Sequence, residues 1–309
     1  MAPAAPTASS APARLLGGCV RETECRAAPA DALCRWCGAS GLEVRRSVGA
    51  HFVLRCRRCG FLTLKTGIDE ERLGETYQDY LPTDPAAIVQ WEREQRPVVD
   101  RAVRAIRSLT SRSGGGPRRL LEVGSGFGFF LKAARDAGFD VRGVEFSATG
   151  RAHARASFAL DVSPGPFERE RFAPASFAVV CAFYVIEHLA DPRAFLMEVH
   201  RLLEPGGLIF LRWPHSTPLA RLGDAFGVSH DLYHAPWHLS DFTPATMERA
   251  LADCGFRQAT TRTFGGTATH GALATLVSRG AAALSDLLEL ATAAKCHLPG
   301  VSKTTFGWK

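Results

Sequence analysis

The sequence predicts a doubly wound α/β fold, built on a mostly parallel sheet and preceded by a small four-cysteine module. Three observations carry that expectation. Residues 120–137 read as a short apolar strand that turns on glycines into a helix. Further apolar segments near 141–145, 160–162, 177–182 and 208–213 alternate with helical stretches, the pattern of parallel βαβ units. Ahead of them stand two C-x2-C pairs.

Residues 1–29 are rich in Ala, Pro and Ser and are expected to form a disordered leader, in which Cys19 and Cys25 carry no assigned role. No apolar segment precedes Cys19 as an export signal would require, and no run of eighteen apolar residues exists to span a membrane. A cytoplasmic location is expected, where cysteines serve metals or stay as buried thiols.

Residues 30–66 are expected to form a zinc ribbon. Cys34-Arg-Trp-Cys37 and Cys56-Arg-Arg-Cys59 are separated by eighteen residues, the spacing of a tetrahedral four-cysteine site. Four thiolates leave no open position, so a Zn2+ ion held there is structural. Residues 1–65 hold 10 Lys and Arg against 4 Asp and Glu, whereas residues 66–309 hold 27 of each. The basic character therefore belongs to the front module. Arg55, Arg57 and Arg58 read as a solvated face offsetting the thiolates, with an anion-binding surface as the alternative.

Residues 67–112 form a linker and a helical cap. Pro82 and Pro85 follow Tyr77 and Tyr80, and Ile88, Trp91, Val98, Val99, Val103 and Ile106 recur at helical spacing. Gly114 to Pro117 ends that helix and opens the main domain, residues 113–279.

Its first strand meets Gly124, Gly126 and Gly128, which let the backbone turn tightly and approach a ligand at a helix N-terminus. A dinucleotide fingerprint needs glycine at position 129, which is Phe129. The second strand ends in Glu145, an acid suited to a ribose diol, and the loop 163–168 is placed to flank an adenine. Tyr184 and His188 follow strand four, and His188, titrating near neutral pH, is a candidate base. His215, His230, His234 and His238 follow strand five in what reads as a substrate lid, with His238 as a second candidate base. A second metal there is not expected, because Pro236 breaks any helical pairing of His234 with His238. Residues 256–264 read as a strand, and residues 280–309 as a C-terminal helix and tail, whose Leu284, Leu287, Leu288 and Ala291 suit core packing, with pairing to another subunit as the alternative.

Glu122-x-Gly124-x-Gly126-x-Gly128 with Glu145 resembles the S-adenosylmethionine (SAM) site of class I methyltransferases. So do Val185-Ile186-Glu187-His188-Leu189-Ala190-Asp191-Pro192, Leu202-Leu203-Glu204-Pro205-Gly206-Gly207 and Trp237-His238-Leu239-Ser240. The resemblance implies a seven-stranded Rossmann-like sheet, with Glu122, Gly124, Ser125, Gly126, Gly128, Glu145, Phe146, Phe167 and Ala182 lining the cofactor and Tyr184, His188 and His238 facing the acceptor. A ribbon joined to this half also resembles bacterial deoxysugar C-methyltransferases. Two features depart from that group: Ala178 in strand four, and a tail too short for its additional domain.

The leading expectation is a SAM-dependent methyltransferase for a small molecule, with a sugar or natural-product intermediate as the candidate classes. RNA as acceptor is the alternative, and a non-catalytic SAM-binding scaffold the third. Against RNA, residues 66–309 are neutral and the ribbon lacks an aromatic row for stacking bases. Nucleic-acid and membrane partners are not expected, while contact with a second copy or a carrier protein is left open.

Overall fold

The computed structural model describes residues 32–48, 51–65, 80–110, 118–165, 167, 172–215, 223, 225–226, 233–263, 272–292 and 302–309. The leader, Tyr77, the Gly114–Pro117 break and His230 lie outside them. Among the described residues no helix is long and apolar enough to cross a membrane.

Three antiparallel strands, β1 (Leu42–Val48), β2 (His51–Cys56) and β3 (Leu62–Lys65), make the front sheet. Helix α1 (Pro85–Thr110) then leads to the main sheet. That sheet alternates β4 (Arg119–Val123), α2 (Phe129–Asp136), β5 (Asp140–Glu145), α3 (Ala148–Phe158) and β6 (Val162–Pro164). It continues through β7 (Phe177–Phe183), α4 (Pro192–Leu202) and β8 (Leu203–Trp213). Strand β9 (Ser240–Asp241), helix α5 (Pro244–Asp253), β10 (Arg257–Arg262), α6 (Ala272–Ala291) and β11 (Lys303–Trp308) complete the chain.

The seven main strands run in the order β10-β11-β8-β7-β4-β5-β6. Strands β4 to β8 pair in parallel, and β11 is antiparallel to both neighbours. Because side chains alternate along a strand, each buried strand feeds two cores. Leu120, Val179 and Leu208 pack with α1, α2 and α3 on one face. Leu121, Val180 and Ile209 pack with α4, α5 and the front module's Trp36 and Phe61 on the other.

Two boundaries differ from the sequence reading. Residues 303–308 are not an appended tail: they are a strand between β8 and β10. The front module is not self-contained either, because β9 pairs with β3, Leu62 opposite Asp241 and Thr63 opposite Ser240. The leucines of α6 also differ from expectation. Leu284, Leu287 and Leu290 point outward, and the buried face carries Ser285 and Glu289. Those two bond the β10 end: Thr263 donates its N–H to Glu289 Oε2 at 3.0 Å, and its hydroxyl lies 2.5 Å from Ser285 Oγ.

Candidate active site

The glycine turn is forced by its backbone. Gly124 and Gly128 have φ of 74° and 84°, in the left-handed region that side chains disfavour. A Cβ on Gly124 would lie 2.5 Å from Val185 Cγ2, and one on Gly128 2.9 Å from Ala154 Cβ. Gly126, between them, faces open space. Glu145 ties this turn to the end of β5. Its Oε2 accepts the Gly126 N–H at 2.6 Å and its Oε1 the Ser147 N–H at 2.7 Å. Burial raises the Glu145 pKa, and those two amides oppose the shift. Each carboxylate oxygen keeps a second lone pair, so the arrangement admits a ribose hydroxyl as well.

Beneath the turn, Glu122 lies opposite Gly143 across β4 and β5. Burial, then the charge of Glu145, holds its pKa well above the usual range. Glu122 Oε2 and Ser125 Oγ are buried with no hydrogen-bond partner among the described residues. An open glycine cradle with orphaned polar atoms below it fits a polar cofactor such as SAM. Ala182 is buried in β7 opposite Val123, and Phe146 packs its ring 3.3 Å from the Gly165 Cβ position. Phe167 is buried, with its ring edge-on to Phe195 at 5.5 Å.

Glu145→Ala removes the acceptor of two backbone amides. We expect a destabilisation of about 2–4 kcal/mol, the usual cost of orphaning hydrogen-bonded donors, and at least tenfold (roughly 1.4 kcal/mol) weaker SAM binding by calorimetry. Unchanged affinity would remove Glu145 from the cofactor site.

The segment after β7 is anchored by a group the sequence reading passed over. Tyr184, at φ 57°, takes its hydroxyl to Arg212, whose Nε donates to it at 2.9 Å. Arg212 is fully buried and donates from Nη1 to Thr263 O and Thr304 Oγ1, both at 3.1 Å. Charged residues inside an apolar strand read as exposed, and only the β11 neighbour Thr304 reveals the burial.

His188, one turn on, lies 3.0 Å through Nδ1 from Trp237 O. Its Nε2 lies 3.9 Å from Oε1 of Glu187, which is 1% exposed. Neither carboxylate oxygen of Glu187 has a hydrogen-bond partner among the described residues. The His238 ring stands 4.8 Å from that of His188, and His234 4.8 Å from His238. Burial pushes the His188 pKa down to about 4 and that of Glu187 up to about 8. Burial, then His188, likewise depresses His238. His215 is also buried, but beside Trp213, and is not part of this cluster.

The four front cysteines converge as the spacing predicts. All are free thiols, with Cys34 Sγ 3.5 Å from Cys59 Sγ and Cys37 Sγ 3.7 Å from Cys56 Sγ. A tetrahedral ion with bonds of about 2.3 Å separates its sulfurs by roughly 3.8 Å, so the four fit Zn2+. Backbone amides of Trp36 and Cys37 are aimed at Cys34 sulfur, and those of Arg58 and Cys59 at Cys56.

This module is docked onto the main domain. Trp36 donates from Nε1 to Asp253 Oδ2 at 3.0 Å, Phe61 meets Phe242 edge-on at 5.1 Å, and Arg249 donates to Cys59 O. Leu64 donates to Leu239 O at 2.9 Å, and Leu239 donates to Glu187 O at 2.7 Å. His238 therefore sits between the module and the Glu187 segment.

The chain is similar to the ubiquinone biosynthesis O-methyltransferase of Pseudomonas aeruginosa (strain UCBPP-PA14). The two are 29% identical over 161 residues, 49% of this chain and 69% of that relative. A probable S-adenosylmethionine-dependent methyltransferase of Mycolicibacterium smegmatis is 30% identical over 140 residues, 45% of this chain and 52% of its own. A solved SAM-dependent methyltransferase from Archaeoglobus fulgidus shares the fold, with a TM-score of 0.51 at 19% identity over 73% of this chain and 100% of that one. The methyltransferase domain family matches residues 91–260, more than half of the chain. With the glycine cradle and sheet order described above, the chain belongs to that family and is a SAM-dependent methyltransferase.

Proposed function

We propose that this enzyme methylates a hydroxyl group of a small molecule seated against Tyr184, His188 and His238, with a structural Zn2+ held by Cys34, Cys37, Cys56 and Cys59. The single observation that carries the reading is the placement of these side chains. Val185 packs on Gly124 of the cofactor turn, and Tyr184, Glu187 and His188 flank it on the same short segment. The O-methyltransferase name borne by the Pseudomonas relative supports oxygen as the acceptor atom. SAM, when bound, supplies an electrophilic methyl group. Transfer is an in-line displacement that asks the protein for alignment and for help in removing the acceptor proton. The Trp237 carbonyl, accepting from Nδ1, fixes the His188 tautomer and leaves Nε2 with its lone pair.

The test is labelled SAM with a metabolite extract, the product being characterised by its new bond. A methylated hydroxyl is expected. A methylated carbon would point instead to the deoxysugar-type reaction. Binding to RNA with a steep salt dependence would favour a nucleic-acid acceptor.

A further inference from the structure

We propose that Glu187, His188 and His238 form a second metal site, taking a divalent transition ion of the Zn2+ class beside the acceptor. Glu187 Oε1, His188 Nε2 and a ring nitrogen of His238 all lie within 4.8 Å of one another. Ligands at bonds of about 2.0–2.1 Å stand roughly 3.3–4.2 Å apart, so the 3.9 Å between Glu187 Oε1 and His188 Nε2 already fits. The His238 nitrogen, within 4.8 Å of both, must draw nearer to complete the set.

Three features distinguish this cluster from ordinary core packing. The Glu187 carboxylate is almost completely buried, yet neither oxygen accepts a hydrogen bond among the described residues. His188 uses Nδ1 on the Trp237 carbonyl, the outer contact that commonly orients a metal-binding imidazole, and so turns a lone pair on Nε2 toward that carboxylate. A carboxyl group and an imidazole lone pair that face each other are joined by a positive charge between them, a metal ion or a proton. The chain is also held on both sides of His238: Trp237 by its carbonyl, and Leu239 by its bonds to Leu64 and Glu187.

Two imidazoles and one carboxylate suit a transition ion and leave coordination positions open. An oxygen-bearing acceptor occupies one of them, so this inference rests on the hydroxyl-acceptor reading. Coordination would acidify the acceptor hydroxyl, and with the His188 Nε2 lone pair held by the ion the proton would pass to solvent rather than to His188. The oxygen lone pair then forms the O–C bond to the methyl group of SAM, and the electron pair of the broken S–C bond stays on sulfur. Pro236 breaks any helical pairing of His234 with His238, which is why a second metal is not expected from spacing alone. The site does not need such a pair, because a 3-10 turn supplies Glu187 and His188 while the lid supplies His238.

The full chain, loaded with Zn2+ and desalted, tests the site by its metal content. Two equivalents are expected in the wild type, falling to one in both E187Q and H238A. The thiolate charge-transfer band of the Co2+-substituted protein should persist in both variants, showing the cysteine site intact and the fold kept. One equivalent in the wild type, or two in both variants, would overturn the proposal and leave a shared proton as what joins the three groups. Methyl incorporation from labelled SAM is read separately. A hydroxyl-methylated product with one metal equivalent sinks the second metal alone, whereas two equivalents with a carbon-methylated product sinks the acceptor reading alone.

Discussion

Cys56→Ser is expected to abolish methyl transfer while sparing much of the SAM affinity. Structural zinc contributes on the order of 10–16 kcal/mol to small cysteine modules, so losing one thiolate threatens the whole front sheet. That sheet is not an ornament here. Cys56 and Phe61 are buried in the same core as Leu121, Val180 and α5, and Phe61 stacks edge-on against Phe242. Strand β3 holds Ser240 and Leu239, and through them the position of His238. The glycine turn, by contrast, is built by β4, β5 and their helices. Calorimetry and turnover measured side by side decide the matter. A drop in turnover of a hundredfold or more, with SAM binding within about tenfold of wild type (roughly 1.4 kcal/mol), is the expected split. Equal losses in both would show that the module supports the cofactor site as well.

Deleting residues 303–309 should be more damaging still, giving a protein that does not fold cooperatively. Every residue from Lys303 to Trp308 pairs with β8, and the same strand carries β10 on its other edge. Removing it takes Thr304 from Arg212 Nη1 and Thr305 from Trp213 Nε1. Two buried donors losing partners cost about 2–6 kcal/mol together, before the lost packing of Phe306 is counted. A domain stable by about 5–15 kcal/mol has little left after that. Urea unfolding followed by circular dichroism is the measurement, and an unchanged two-state midpoint would show the strand to be dispensable.

Much of the fold could be read from sequence because a few residues admit one solution. Glycine at positions 124 and 128 answers a backbone that other residues adopt at a cost, and two C-x2-C pairs at this spacing converge almost by necessity. The apolar runs of β7 and β8 likewise fit only a sheet covered on both faces. What could not be read depends on distant neighbours. Lys303, Thr304 and Thr305 look like surface residues, yet they are buried because Arg212, Thr261 and Thr263 supply their partners. Ser240–Asp241 is too short to show as a strand, and it forms one only because β3 offers an edge. Phe167 meets Phe195, a contact that sequence spacing does not reveal because an apolar ring follows the nearest core. Glu187 and His188 meet His238 from a segment about fifty residues on, and periodicity carries no information about such meetings.

The two-residue seam between β3 and β9 should be the readiest part of the proposed acceptor site to open. So short a ladder has few bonds to break, so it should open far more often than the long parallel strands behind it. Native-state hydrogen exchange would see this as weak protection at the Leu64 amide, which donates to Leu239 O across the seam, beside slow amides in β4 and β7. An acceptor entering the proposed site would slow the former and leave the latter unchanged. The seam would then yield while the contacts of Trp36 with Asp253 and Phe61 with Phe242 keep the front module in place.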